Sequence, residues 1–231
     1  MLAIVAVLGI EYLMLRGWYP GTVYHLYLHG TAYDLAFGVS LLLHYAVAVA
    51  VLVRLGGPLA RDLGSWYAAF GWGRLSWSDL GIGAVGALGE LLLRIAAAVV
   101  LVIAVPALRH GSASNVELSG RPTIQIWMLI IVAVLIAPAI EELIFRGLLL
   151  QTLLRRMPFW PAALISTTVF AALHLYEVRG LASVTLLFVS IFTFGLGQCL
   201  LVRWTSRLGT SIVAHSISNA VSVVVTLAAR R

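Results

Sequence analysis

The chain has 231 residues, of which 61% are apolar and 10% charged; soluble domains carry about 25% charged residues, so an ordinary water-soluble globule is excluded. A single cysteine, Cys199, excludes a disulfide framework and any multi-thiolate zinc site. Lysine is absent, so all 15 basic residues are arginines and the formal charge is +6. They stand singly or in pairs at the ends of apolar runs, a pattern that suits anionic lipid headgroups and not nucleic acid.

A bilayer core requires about 20 apolar helical residues. In chain order, 1–15 is a short, weaker span containing Glu11; it lacks the basic leading region and small-residue cleavage site of a signal peptide. Residues 35–53 are interrupted only by His44, read as a hydrogen-bonded packing residue. Gly56-Gly57-Pro58 and the Trp/Gly-rich stretch 66–77 form a connector, with tryptophans at headgroup depth. Residues 80–108 carry Glu90 and Arg94 at helical four-residue spacing, a pair assigned to structure: contact with a partner helix or a wet vestibule. A polar loop at 109–121 follows. The run 122–140 is uncharged, and its apolar character continues past Glu141 and Glu142 to Leu154. A tight turn at Arg155-Arg156-Met157-Pro158 leads to runs at 159–176, 180–202 and 208–229, with a second turn at 203–209. The expected fold is all-α, a polytopic transmembrane bundle of about seven spans (six to eight). Seven spans divide the loop arginines seven to six between the two faces. That split leans towards the face of Arg54, Arg155 and Arg203 as cytoplasmic.

Ionisable groups at membrane depth cost roughly 2.5–3.5 kcal/mol each on insertion scales, so each requires a reason. Glu141 and Glu142 point about 100° apart around a helix. Glu142 and Arg146 are four apart with the acid N-terminal, the favourable order for an ion pair. Glu142 is then neutralised by Arg146. Glu141 is left to face a functional partner or to stay buried as a protonated spare.

Glu141 lies 16 residues before Met157, and His174 lies 16 after Pro158. On antiparallel helices they share a depth of about 20 Å from the turn. A carboxylate and an imidazole at matched depth can share a water. Phe170, four before His174, lies on the same helical face and can wall the site. His215 and Asn219, again four apart, fall broadly level with them; their bland reading is an interhelical hydrogen-bond pair.

The ordered set Glu-Glu-x-x-x-Arg at 141–146, Phe-x-x-x-His at 170–174 and His-x-x-x-Asn at 215–219 resembles the CAAX-protease and bacteriocin-processing family of intramembrane enzymes, also called Abi. Phe192-Thr-Phe-Gly195, between the second and third, is similar to the family's less distinctive Phe/Gly motif. The resemblance covers 123–229; residues 1–122 carry no recognised motif. It implies a helical bundle around an intramembrane catalytic cavity and a hydrolase of glutamic type. Glu141 would be the general base that activates water, with His174 sharing that water or its proton. His215 and Asn219 would hydrogen-bond the oxyanion, while Glu142 and Arg146 hold the first motif in place. The implied substrate is a peptide or lipidated peptide, either a prenylated CAAX tail or a leader peptide. The expected location is multi-pass, in a prokaryotic plasma membrane.

Such chemistry needs a nucleophile, a proton acceptor and donors aimed at the tetrahedral oxygen. Other intramembrane protease classes lack their marks here. There is no His-Glu-x-x-His, no Gly-x-Ser-Gly and no second intramembrane aspartate to accompany Asp34. Glu141, His174 and His215 could also form a two-His, one-carboxylate zinc site. The cofactor-free version is preferred, because Asn219 and Arg146 suit oxyanion and ion-pair roles better than ligation. A non-catalytic scaffold or immunity protein and a proton-coupled transporter are the remaining classes.

Overall fold

The computed structural model describes residues 75–111, 123–175 and 178–229, with parts of 38–61. The expected span 1–15, Asp34, part of 35–53 including His44, most of the connector (58 and 66–74) and most of the loop at 109–121 (112–121) lie outside the described residues. Every described element is helical.

Helix α1 spans Trp77–Ala104. It starts earlier than the apolar run suggests because Ser76 and Asp79 make a reciprocal capping box: Asp79 N donates to Ser76 Oγ at 3.3 Å and Ser76 N to Asp79 Oδ2 at 2.8 Å. It ends before Pro106, which opens a 3₁₀ turn over Pro106–His110 and disfavours helix in the residue before it. Helix α2 covers Thr123–Leu154, 32 residues, and is π-wound over Val132–Ile136 and Leu143–Leu150. The first wide turn ends two residues before Pro138, whose ring and missing N–H an ordinary interior turn cannot accept. The expected tight turn follows at 155–158.

Helix α3, Phe159–Leu173, has 15 residues. At 1.5 Å per residue it reaches about 22 Å, less than the roughly 30 Å hydrocarbon core. Among the described residues it is an apolar helix shorter than the expected run 159–176. It stops at His174, which closes the helix as its C-cap. Helices α4, Leu181–Thr205, and α5, Leu208–Ala228, are joined by a two-residue corner in which Ser206 takes a left-handed conformation (φ 53°). Four helices among the described residues, α1, α2, α4 and α5, are long and apolar enough to cross a membrane.

The packing inverts the soluble pattern. Val85, Leu92, Val100 and Ile103 of α1 point outwards and are exposed, whereas Asp79, Glu90, Glu142, Arg146, Gln198, Ser211 and His215 are buried. Apolar side chains gain nothing by leaving lipid, so polar contacts and close packing hold such a bundle together. Helix α1 packs against α4 and α5, and α3 lies between α2 and α4. Phe145, Leu149, Phe170, Leu187 and Phe194 fill the apolar centre.

Candidate active site

Helix α2 supplies the carboxylates. Glu142 and Arg146 are fully buried and paired, Arg146 Nη1 to Glu142 Oε1 at 3.0 Å, as their spacing suggests. The other guanidinium nitrogen, Nη2, donates to the Gly195 carbonyl of α4 at 3.1 Å. A Cβ at position 195 would lie 3.1 Å from that nitrogen and 3.1 Å from Thr167 Cγ2, so glycine there admits the arginine. The guanidinium also stacks over the Phe170 ring, 4.5 Å from its centroid. Glu142 thus has its charge matched, the condition under which a buried carboxylate is tolerable.

Helix α5 runs antiparallel to α2 and presents Ser211, His215 and Asn219 at successive four-residue steps on one face. Ser211 Oγ hydrogen-bonds Glu142 Oε2. His215 Nδ1 lies 2.8 Å from Glu142 Oε1. Facing a carboxylate, Nδ1 carries the hydrogen, and in the neutral ring Nε2 keeps its lone pair. Nε2 stands 3.7 Å from Glu141 Oε2. Glu141 retains 23% side-chain exposure, against 0% for Glu142; the two neighbours are divided into a buried anchor and an accessible acid.

His174 sits on the exit of α3 with Nδ1 2.8 Å from the Phe170 carbonyl. That acceptor fixes Nδ1 as N–H and leaves the lone pair on Nε2. Phe170, expected as a cavity wall, is 1% exposed and lies under both imidazoles, 4.6 Å from His174 and 6.1 Å from His215 between ring centroids. Phe194 closes the other flank of His215 at 4.7 Å. Asn219 Nδ2 donates to the Ala133 carbonyl at 2.8 Å, within the first π-wound turn of α2. One of its two amide hydrogens is committed there, and the other remains.

Among the described residues no three His, Cys, Asp or Glu side chains converge as a ligand set for a metal ion. Glu90 and Arg94 each bond to a neighbouring helix: Glu90 Oε2 meets Gln198 Nε2 at 3.1 Å, and Arg94 Nε donates to Ser190 at 3.0 Å. Both bonds cross to α4, the partner-helix contact that the span's composition suggests. Ser211 and Gln198 have no place in the sequence motifs, although Ser211 extends the His215/Asn219 stripe by one turn and Gln198 interrupts an apolar run. Asp79 is a further omission. It is fully buried and bound by Arg207 at 2.6 and 2.7 Å and by Thr210 Oγ1 at 2.9 Å, clamping the start of α1 to the start of α5.

Residues 123–221 match the family model described as type II CAAX prenyl endopeptidase Rce1-like. The match covers 99 of the 231 residues, and this segment is similar to that family. It takes in α2, α3, α4 and most of α5, and with them Glu141, Glu142, Arg146, Phe170, His174, His215 and Asn219. The family is one of CAAX-type membrane proteases, in keeping with the apolar helices of the matched segment. No curated protein and no solved structure matches the chain.

Proposed function

We propose that the protein is a glutamic intramembrane endopeptidase, in which Glu141 activates a water that attacks a peptide carbonyl of a membrane-anchored substrate. The observation that carries this reading is the imidazole of His215, tied through Nδ1 to Glu142 at 2.8 Å and turned through Nε2 to Glu141 at 3.7 Å. A carboxylate and an imidazole lone pair facing each other are two acceptors. A water donating one hydrogen to each would be held with its oxygen lone pairs directed away from both, ready for attack.

In the first step the water oxygen bonds to the carbonyl carbon, its proton passes to Glu141, and the C=O electron pair moves onto oxygen. The second amide hydrogen of Asn219 is the donor assigned to that oxyanion. His174, held by Phe170 with the lone pair on Nε2, would orient the same water. In the second step the C–N bond breaks, and Glu141 returns its proton to the leaving nitrogen. Glu142 and Arg146 do not touch the reacting atoms; they hold His215 in the tautomer that the first step needs. The family match supports a prenylated CAAX-type tail as the substrate class, and a lipid anchor would share the hydrocarbon phase with the outward faces of the helices.

The test is cleavage by the purified full chain of a prenylated CAAX peptide and of an unmodified leader peptide, with Glu141→Ala as control. Cleavage of the prenylated peptide alone supports both reaction and substrate class. Cleavage by neither protein overturns the reaction.

A further inference from the structure

Helix α1 lies outside the matched segment, yet Glu90 on it reaches the back of the site. It is 5% exposed and has no ion-pair partner among the described residues. Its Oε2 meets Gln198 Nε2 at 3.1 Å. Gln198 Oε1 meets Ser211 Oγ at 2.7 Å, and Ser211 Oγ meets Glu142 Oε2. Side chains from α1, α4, α5 and α2 thus form one buried line with a carboxyl at each end.

The three contacts of this line need three hydrogens, and with both carboxyls bare only two can be supplied. Ser211 has one. The Gln198 amide serves one neighbour with nitrogen and turns its oxygen to the other. With the nitrogen towards Glu90, the single Ser211 hydrogen would have to satisfy both Gln198 and Glu142. With the amide reversed, an arrangement of equal shape, Gln198 donates to Ser211 and Ser211 to Glu142, but two bare oxygens face each other at Glu90. Either way one carboxyl carries the missing hydrogen, Glu142 in the first case and Glu90 in the second. Glu142 already has Arg146 at 3.0 Å and His215 Nδ1 at 2.8 Å on its other oxygen, both of which favour the anion. Among the described residues Glu90 has no cation in contact: Arg94 and Arg146 act on it only from a distance, and a buried charge without a direct partner is the costly state.

We propose that Glu90 is a positioning residue that holds this hydrogen as a neutral acid. It donates to Gln198, the amide donates to Ser211, and Ser211 donates to Glu142, which stays ionised against His215. Gly197 makes the slot: a Cβ there would stand 2.7 Å from Glu90 Cγ. The catalytic consequence rests on the protease reading; the position of the hydrogen does not.

Infrared difference spectroscopy of the full chain in lipid nanodiscs locates the hydrogen directly, through the C=O stretch of a protonated carboxyl. Glu90→Gln is expected to remove such a band, and Glu142→Gln to leave it. A band untouched by Glu90→Gln overturns the proposal, as does one lost with Glu142→Gln alone. In the peptidase assay Glu90→Ala should lower kcat about tenfold with KM little changed, the effect of one buried acceptor left unsatisfied. Glu90→Gln, whose amide can donate the same hydrogen, should recover most of that loss. Equal loss in both variants contradicts the donor role. If wild type cleaves neither peptide the protease reading fails, and the infrared comparison still decides where the hydrogen sits. That comparison needs only the near-isosteric glutamine variants, so instability of Glu90→Ala does not remove it.

Discussion

His215 and Glu142 are joined Nδ1 to Oε1 at 2.8 Å, and that bond determines how the imidazole can work. A ring fixed by a carboxylate at Nδ1 offers Nε2 first as an acceptor and becomes a donor there only after taking a proton. In the proposed mechanism His215 therefore first accepts a hydrogen bond from the water beside Glu141, and Asn219 is the donor assigned to the oxyanion at that step.

The Glu142–Arg146 pair is buried on both sides, so removing one member should cost far more than removing both. Arg146→Met is expected to destabilise the fold by about 3–5 kcal/mol, because it strands the Glu142 charge. The double variant Arg146→Met/Glu142→Gln should recover a substantial part. Thermal unfolding of the three variants in detergent measures this coupling; additive losses would show that the pair does not act as a unit.

Gly195→Ala should destabilise by about 1–3 kcal/mol, the usual cost of overpacking a close contact. The added methyl would meet Arg146 Nη2 and Thr167 Cγ2, both at 3.1 Å. A wild-type melting temperature in this variant would mean that the α3–α4 contact is looser than described.

At the other end of the bundle, Arg207→Ala leaves Asp79 buried with only its hydroxyl and amide donors. A loss of about 1–3 kcal/mol is expected. The partly exposed arginine, 32% by side chain, keeps the effect below that of Arg146. Asp79→Asn added to Arg207→Ala should reduce the loss, as read by the same unfolding measurement.

Local spacing carried much of this architecture. Four-residue separation was enough to pair Glu142 with Arg146 and to align His215 with Asn219, because both depend on a single helix. The turn at Arg155–Pro158 was legible from its composition. At Glu90 and Arg94 the spacing marked a structural pair but not its partners, which lie on α4. Gln198 and Ser190 lie about a hundred residues away in sequence, and periodicity within one helix cannot reveal them. The early end of α3 was equally hidden, since the run 159–176 stays apolar past the point where His174 caps the backbone. Asp79 shows half a signal: the Ser76-x-x-Asp79 capping box is visible, but the clamp to Arg207 spans 128 positions.

Metal dependence separates the two chemistries that Glu141, His174 and His215 could support. Exhaustive chelation of the purified protein should leave peptidase activity within about twofold, since the proposed proton transfers run between side chains and water. Loss of activity that returns on adding zinc would replace the glutamic mechanism with a metal-assisted one.

The most direct test of the central claim is the peptidase activity of Glu141→Gln, measured alongside its thermal unfolding. Gln keeps the shape of the partly exposed side chain and removes the proton acceptor. The account predicts a folded protein with wild-type melting behaviour and activity reduced by at least about 10²-fold, the lower range for loss of a general base. A folded Glu141→Gln protein that cleaves at the wild-type rate would contradict it.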